Sequence, residues 1–270
     1  MKFPIFCLLI HIILLKGQII ADAEPIAGPD LRLAKPHEFS FVVAIEIRLL
    51  GTGEYAFCTG SIISKNHVLT VAHCVRGDEE KRVEVLAGSH NLNQCKRYRV
   101  ATWVTYEMWA KKYHKTLIED VEVTNDIAVL ILAEKIVLSR MKKATFSQKR
   151  TEKLYGLDAR MVGWKTDSRN SETSLYNADV TILTREACYD FNNLLKKEVE
   201  YIPKSFLCAI AEPYVIGNKG DSGAPLVYKD KKILGVLRGI SPDDNAAAEG
   251  LNIFTSIDPY KEFIYSFLNG

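Results

Sequence analysis

One serine in this chain has neighbours suited to nucleophilic chemistry. Ser222 lies within residues 220–226, which read Gly-Asp-Ser-Gly-Ala-Pro-Leu. A serine hydroxyl is a weak nucleophile until a base takes its proton and N–H groups stabilise the oxyanion that forms. Because glycine has no side chain to cover its N–H, the N–H groups of Gly220 and Ser222 can point at one oxygen and form an oxyanion hole. On its own, the string is equally typical of a polar turn.

Two other segments supply the groups that such a serine needs. His73 lies in residues 69–74, Leu-Thr-Val-Ala-His-Cys, and Asp126 lies in residues 124–130, Thr-Asn-Asp-Ile-Ala-Val-Leu. A histidine can act as the base, and a carboxylate beside it can fix its tautomer. Alone, each is commonly a structural residue. Here His, Asp and Ser follow one another along the chain, which is one of several orders in which this catalytic triad is built.

These motifs resemble those of the trypsin/chymotrypsin family of serine proteases, and the resemblance extends over residues 26–270. It implies an all-β fold of two six-stranded antiparallel β-barrels, with a short intermediate helix and a C-terminal helix. The catalytic residues would be His73 and Asp126 from the first barrel and Ser222 from the second, with the divide near residues 144–153. The implied activity is that of a serine endopeptidase, a hydrolase that cleaves peptide bonds through an acyl-enzyme.

The spacing of apolar residues predicts the elements that must position these side chains. Short β-branched stretches separated by turn residues favour an all-β architecture. Thr184 is placed to cap one helix, and a second helix has an apolar stripe that would dock it on a barrel. The predicted strands are residues 41–49, 61–71, 82–87, 127–133, 160–164, 179–183, 233–237 and 251–254, and the predicted helices are residues 185–197 and 257–268.

Composition and charge exclude some partners. The chain has 270 residues, 47% of them apolar, and a formal charge of +2. That is enough apolar material for a core, and the charge gives no reason to expect a nucleic-acid or membrane partner. We expect protein or peptide substrates, protein inhibitors as further partners, and a monomer.

No metal or cofactor is expected. The six histidines have no ligand-like spacing with cysteine or acidic residues. Some members of the family hold calcium after the Leu-Gly turn of the first barrel, using acidic residues. Here residues 88–91 read Gly-Ser-His-Asn, and the missing carboxylate argues against calcium.

Residues 1–23 are predicted to be the signal peptide of a secreted, extracellular protein. Lys2, an apolar run over residues 3–15 and small residues at 21–23 match the three parts of such a segment. The run is shorter than the roughly 20 residues that cross a bilayer, and a signal anchor is the competing interpretation. Residues 24–25, Glu-Pro, would then be a short propeptide, and residues 26–270 the peptidase domain.

The resemblance also implies how a precursor becomes active. Residues 26–29, Ile-Ala-Gly-Pro, resemble the mature start of the family. The amine freed at Ile26 would pair with the carboxylate of Asp221 and order the N–H groups of the oxyanion hole. A buried carboxylate without that partner is costly, so the precursor would be a poor catalyst.

The residues before Ile26 point to an unusual activating enzyme. Most members of the family carry Arg or Lys there, whereas this chain has Glu-Pro. Signal cleavage after Ala23 or Ala21 would leave one or two dipeptides, each ending in Pro or Ala, and post-proline dipeptidyl peptidases prefer such ends. Alternatively, Pro25 is a turn residue and a different enzyme cuts here.

The resemblance pairs four of the six cysteines. It joins Cys58 to Cys74 and Cys188 to Cys208, and an oxidising compartment suits both disulfides. The family bridge that would tie the loop at Asn218 to the wall of the substrate pocket is missing. Its loss predicts a less rigid pocket.

Cys95 is left without a partner once Cys7 leaves with the signal peptide. It lies in a polar loop, residues 91–96, that we expect to be exposed. An odd thiol in a secreted protein either pairs with another chain or stays free.

The substrate pocket departs from the pattern of the family. Ile216 stands at the floor position where trypsins have aspartate, so a substrate Lys or Arg lacks its counter-charge. Arg238, Gly239 and Ile240 take the places of the usual Ser-Trp-Gly in a gapless alignment. Ile240 would then narrow the entrance and Arg238 would repel a cation. With Asn252 where glycine is usual, we predict cleavage after small or medium apolar residues.

Two other functions stay open. The altered pocket would also suit a secreted protease-like protein that binds a partner without turning it over, although such a binder has no use for a triad and an oxyanion glycine. An esterase-type hydrolase would need a different motif and a different chain order. An active, non-trypsin-like endopeptidase is the interpretation that uses all the motifs.

Overall fold

The structure, a computed structural model, describes residues 26, 28, 30–77, 80–114, 125–137, 141–167, 170–196, 202–242 and 250–268. The predicted signal peptide and propeptide, residues 1–25, lie outside the described residues. Strands dominate the rest, with α-helices at Tyr106–His114, Arg185–Lys196 and Lys261–Ser266. Numbered along the described chain, the strands are β1 (Arg32–Leu33), β2 (Val42–Leu49), β3 (Tyr55–Ile62), β4 (His67–Thr70), β5 (Lys81–Ala87), β6 (Lys96–Thr105), β7 (Ala128–Leu132), β8 (Thr145–Phe146), β9 (Asp158–Asp167), β10 (Glu172–Ile182), β11 (Phe206–Ile210), β12 (Pro225–Tyr228), β13 (Lys232–Ser241) and β14 (Leu251–Ser256).

Six of these strands form a first closed barrel, in the order β2, β3, β4, β7, β6 and β5. Its strand pairs are antiparallel. On β5, the buried Val83 and Val85 alternate with the less buried Arg82 and Glu84. Because successive side chains of a strand point to opposite faces, this alternation separates the barrel interior from solvent.

A second barrel follows β9, β10, β11, β14, β13 and β12, and closes where β12 pairs with β9. Two short strands lie outside the ring: β1 pairs with β10, and β8 runs parallel to β13. The prediction of two six-stranded barrels is therefore confirmed. Residues 144–153, the expected divide, lie between β7 and β9 and contain β8.

Several predicted boundaries are wrong. Residues 61–71, predicted as one strand, are split between the end of β3 and β4 by a turn in which the Ser64 hydroxyl contacts Asn66 and His67. Polar turn residues inside an apolar run override its β pattern. Strand β6 was not predicted, because its charged residues face solvent and hide the alternation. The helix Tyr106–His114 was also missed, since Met108 and Tyr113 are exposed and blur its apolar stripe.

The other two helices were predicted, one of them too long. The Thr184 hydroxyl accepts a hydrogen bond from the Ala187 N–H at 3.1 Å, so it caps the helix Arg185–Lys196 as expected. At the C-terminus, a 3-10 turn over Asp258–Tyr260 comes before the α-helix Lys261–Ser266. Pro259 at the start of that turn has no N–H to donate.

The C-terminal segment docks on the first barrel through aromatic side chains. Tyr260 and Phe263 are buried, and each meets the Tyr106 ring edge-on, with centroids 4.9 and 5.8 Å away. The Tyr260 hydroxyl donates to Asn125 Oδ1 at 2.9 Å. Since Asn125 directly precedes Asp126, this docking holds the segment that carries the predicted triad carboxylate.

This docking generates a stability prediction. Tyr260→Phe removes a hydroxyl from a buried site and should lower the free energy of unfolding by about 1–2 kcal/mol, measured by urea denaturation. Tyr265→Phe is the matched control, because the Tyr265 hydroxyl bonds Gln148 at the surface, and it should cost less than about 0.5 kcal/mol. Equal losses in the two variants would contradict the assignment.

Candidate active site

His73 and Asp126 meet at the end of the first barrel. His73 lies on a 3-10 turn, Ala72–Cys74, that follows β4, and Asp126 lies two residues before β7. His73 Nδ1 is 2.7 Å from Asp126 Oδ2, and the His73 backbone N–H donates to Asp126 Oδ1 at 2.8 Å. Both carboxylate oxygens therefore hold the same residue, which fixes the orientation of the imidazole.

The Asp126 carboxylate is nearly sealed from solvent, whereas the imidazole is open to it. The side chain of Asp126 is 3% exposed and that of His73 is 41% exposed. Burial alone would raise the pKa of Asp126, but the hydrogen bonds and charge of His73, with a smaller contribution from Arg238, lower it below its usual value. Asp126 is thus held as an anion behind a histidine that faces the cleft.

The second barrel also holds this segment. The Thr255 hydroxyl, on β14, donates to the Asp126 carbonyl at 3.1 Å. Together with the Asn125–Tyr260 hydrogen bond, this contact fixes the backbone on both sides of the carboxylate.

Ser222 lies in the loop before β12, and β3 of the first barrel holds that loop. The Thr59 N–H donates to the Ser222 carbonyl at 2.7 Å, and the Thr59 hydroxyl donates to the Gly220 carbonyl at 2.9 Å. Thr59 follows Cys58, whose disulfide to Cys74 fixes the turn that carries His73. The same short stretch of β3 thus connects the serine loop to the histidine turn.

Glycine is required on the C-terminal side of Ser222. Gly223 has φ of 87°, and a Cβ there would collide with Thr59 O and Thr70 Oγ1. The Gly223 N–H donates to the Leu237 carbonyl at 2.7 Å, which ties the loop to β13. A side chain at this position would push the serine loop away from the first barrel.

The N–H groups of Gly220 and Ser222 are available for an oxyanion. Among the described residues, neither donates to a protein acceptor. Gly220 has φ of 101°, a conformation that favours glycine. Among the described residues, the Ser222 hydroxyl makes no hydrogen bond to His73. Catalytic hydrogen bonds of this kind commonly tighten only when substrate binds.

Ile26 and Asp221 form a buried contact below the serine loop. Both are 0% exposed, and the Ile26 nitrogen donates to Asp221 Oδ2 at 2.6 Å. Burial raises the pKa of Asp221 to about 7, although the backbone N–H groups of Asn218, Ile26 and Trp164 oppose the shift. Gly163 permits this approach, since a Cβ there would collide with Asp221 Oδ1. A carboxyl this deeply buried is stable as an anion only beside a cation.

The residues predicted to form the substrate pocket lie together. Asn252 is fully buried, and its amide accepts from the Gly217 N–H and donates to the Val215 carbonyl, each at 2.8 Å. These two bonds pin the segment that carries Ile216, in the region where the family bridge is missing. Ile240 is the neighbour of Asn252 across β13 and β14.

Arg238 makes a contact that the sequence analysis did not predict. Its Nε is 3.9 Å from Asp126 Oδ2, and its guanidinium carbon lies 4.6 Å from the centroid of the Phe206 ring. The β13–β14 register shifts between Leu237 and Gly239, and this bulge displaces Arg238 from the ladder. Gly239 within the strand is a weak signal of a bulge, but it does not say which side chain the bulge redirects or towards what.

The cysteines pair as the resemblance implied. Cys58–Cys74 and Cys188–Cys208 are disulfides, with Cα atoms 6.4 and 5.7 Å apart. Cys95 is free but not exposed as expected. It is half-buried, with Sγ 3.5 Å from the Ser89 carbonyl oxygen, and burial raises the pKa of its thiol.

Within the described residues, no three His, Cys, Asp or Glu side chains cluster as a metal site would require. No helix in that part of the chain is long and apolar enough to cross a membrane.

The chain matches the Trypsin family over residues 31–264. Mast cell protease 2 of Meriones unguiculatus is 30% identical over 267 residues, covering 97% of this chain and 98% of the relative. Chymase of Rattus norvegicus is 28% identical, with 99% of each chain covered. Chymotrypsin of Phaedon cochleariae is also 28% identical, covering 89% and 84%.

Solved structures support the fold. Neuropsin, a serine protease expressed in the limbic system of mouse brain, has a TM-score of 0.67 at 22% identity and covers 88% of this chain and 98% of its own. A scabies mite inactivated protease paralogue has a TM-score of 0.65 at 21% identity, covering 86% and 96%. By its two barrels and by these matches, the chain belongs to the trypsin family of serine proteases, which includes chymase and chymotrypsin.

Proposed function

We propose that this protein is a secreted, monomeric serine endopeptidase whose triad is His73, Asp126 and Ser222. The proposal rests above all on the 2.7 Å contact between His73 and the buried Asp126. Thr59, which belongs to the same first barrel, fixes the serine loop next to it. Secretion rests on the signal-like pattern of residues 1–23.

The geometry supports acyl transfer through the following steps. His73 takes the Ser222 hydroxyl proton while the oxygen attacks the substrate carbonyl carbon, and the N–H groups of Gly220 and Ser222 bind the oxyanion. Asp126 stabilises the imidazolium that forms. The imidazolium then protonates the leaving amine as the C–N bond breaks, leaving an acyl-enzyme. Water, deprotonated by His73, releases the acid and restores the serine.

A second candidate is a binding protein that has lost turnover. Arg238 favours it, because a cation 3.9 Å from Asp126 Oδ2 competes with the imidazolium for that carboxylate. The similar fold of an inactivated paralogue does not decide between the two functions.

Removal of the serine hydroxyl separates these candidates. Ser222→Ala should abolish peptide hydrolysis, a loss of at least about 10³-fold, because the other groups have no nucleophile to activate. Fluorophosphonate, which reacts only with an activated serine, should label the processed wild type and not the variant. Unchanged thermal unfolding of the variant is the control. Wild-type protein that resists the label would instead support the binding protein.

We also propose that the substrate pocket prefers apolar side chains over Lys and Arg. With Ile216 as the floor, on a segment that Asn252 fixes, the pocket offers no counter-charge, and burying a substrate cation there would cost several kcal/mol. A peptide library should show cleavage after small or medium apolar residues.

A reciprocal variant tests the floor position. Ile216→Asp should raise the ratio of arginyl to leucyl cleavage by about tenfold or more, since it adds the missing counter-charge. Ile240→Asp, at the proposed entrance, should raise it less. Efficient arginyl cleavage by the wild type, with apolar substrates untouched, would show that the pocket alignment is wrong.

Activation is proposed to free the amine of Ile26 by removal of residues 24–25. In the intact chain the Ile26 nitrogen is a neutral amide, so the buried Asp221 has no cation and its pKa is raised to about 7. Such a carboxyl destabilises the intact fold progressively as the pH rises from about 4 to 7, because the unfolded chain then ionises its carboxyl while the buried one stays protonated. Processing would supply an ammonium and remove that loss.

Two measurements test this activation. N-terminal sequencing before and after treatment with a post-proline dipeptidyl peptidase should show a new start at Ile26 together with the onset of activity. In the intact chain, Asp221→Asn should be more stable than wild type at pH 8, an advantage that shrinks towards pH 4. After processing, the same substitution should reduce both stability and activity. An active form that begins elsewhere would refute the route.

A further inference from the structure

Arg238 is a charged side chain next to Asp126 that the mechanism does not use. Its Nε lies 3.9 Å from Asp126 Oδ2, the oxygen that also bonds His73 Nδ1. In the family to which the chain belongs, the equivalent position carries a neutral serine, as the alignment of residues 238–240 implies. A cation in that place changes the charge of the site and not only its shape.

The contact is built into the fold. The bulge between Leu237 and Gly239 displaces Arg238 from the ladder, and its guanidinium stacks on the ring of Phe206, itself buried on β11. The side chain of Arg238 is 29% exposed, and its Nε is buried without a hydrogen-bond partner among the described residues. The guanidinium is therefore held near the carboxylate by packing, at a distance that leaves both Asp126–His73 hydrogen bonds intact.

We propose that Arg238 is a positioning residue that acts through Asp126: its charge offsets part of the carboxylate charge and shifts the working range of the protease towards lower pH. This inference rests on the proposed triad. In that mechanism, the charge of Arg238 determines how strongly Asp126 stabilises the protonated form of His73.

The direction follows from electrostatics. Asp126 stabilises the imidazolium, and a nearby cation weakens that stabilisation. Compared with a chain that lacks this cation, the protonated imidazole is then favoured less, and the proposal is that more of the enzyme carries a neutral base in mild acid. The same weakening reduces the stabilisation of the imidazolium that forms during the reaction, so the maximal rate falls. Arg238 would therefore lower the maximal rate and raise the activity in mild acid.

Other charged or titratable groups near the site do not account for this effect. Glu107, on the helix Tyr106–His114, forms an ion pair with Arg76 at 2.9 Å. The hydroxyl of Tyr260 donates to Asn125, and burial raises the pKa of Tyr260 far above neutrality. Tyr106, packed against Tyr260, likewise has its pKa raised by burial. Of the groups that face Asp126 in the described chain, His73 and Arg238 are those that act on the charge of its carboxylate.

The experiment compares Arg238→Gln, which removes the charge but keeps much of the side chain, with Arg238→Lys, which keeps the charge. Arg160→Gln is a control that removes a charge elsewhere, since Arg160 forms an ion pair with Asp179 on β10. For processed enzyme and an uncharged substrate, kcat and KM are measured from pH 5 to 9. Arg238→Gln should move the acid limb of kcat/KM upward by about half a unit to one unit and raise the plateau of kcat about two- to tenfold. Arg238→Lys and Arg160→Gln should stay near wild type.

A structural role predicts a different pattern. If Arg238 only packs, Arg238→Gln lowers activity at every pH and leaves the acid limb in place, which overturns the proposal. A change confined to KM for acidic peptides would also overturn it, by making Arg238 a substrate contact.

A readout without turnover separates this proposal from the proposed function. The His73 ring protons are titrated by NMR in Ser222→Ala, with and without Arg238→Gln. The midpoint should rise by about half a unit or more when the charge is removed, whether or not the wild type hydrolyses peptides. An unchanged midpoint defeats the inference about Arg238 and leaves the proposed protease function standing.

Discussion

The structure depends on keeping a carboxylate, Asp126, charged where water is excluded. Such a group is stable only if every available interaction favours the anion. Its two oxygens bond the backbone and ring of His73, and its carbonyl accepts from Thr255 of the other barrel. The preceding Asn125 is held by Tyr260 of the C-terminal segment. The first barrel therefore satisfies the carboxylate, while the second barrel and the C-terminal segment hold the backbone on which it lies.

The same constraint acts a second time at Asp221, with a different solution. That carboxyl is as fully buried, but its contacts are backbone N–H groups, and these do not outweigh the cost of burial, so its pKa stays raised to about 7. A cation can reach it only if the nitrogen of Ile26, already 2.6 Å away, becomes an amine. Under the proposed activation, the fold holds the position of the partner before its charge exists. This separation of position from charge is what would allow one peptide-bond cleavage to control the order of the serine loop.

Sequence alone predicted the two barrels and the pairing of four cysteines, and it proposed a triad of which His73 and Asp126 are in direct contact. Those features depend on alternation and on motifs, which are local. It missed β6 and the helix Tyr106–His114, because exposed charged or apolar side chains obscure the alternation expected of a strand and the apolar stripe expected of a helix. It also missed that Arg238 contacts Asp126, because the bulge that turns it depends on strand register between β13 and β14. Thr59 gave no signal either, since its role exists only where the barrels meet.

Four of the departures from the family pattern share a location, and this bears on function. Arg238, Gly239, Ile240 and Asn252 lie on the adjacent strands β13 and β14, which face the triad carboxylate at one point and the predicted pocket at another. By contrast, the nucleophile loop has Gly220 and Gly223 at positive φ, and Thr59 anchors it through two hydrogen bonds. A protein that only bound a partner would gain nothing from two unpaired N–H groups beside a serine. Under the proposed function and the inference about Arg238, the altered strand pair changes which substrate is cut, and at which pH, rather than abolishing the chemistry.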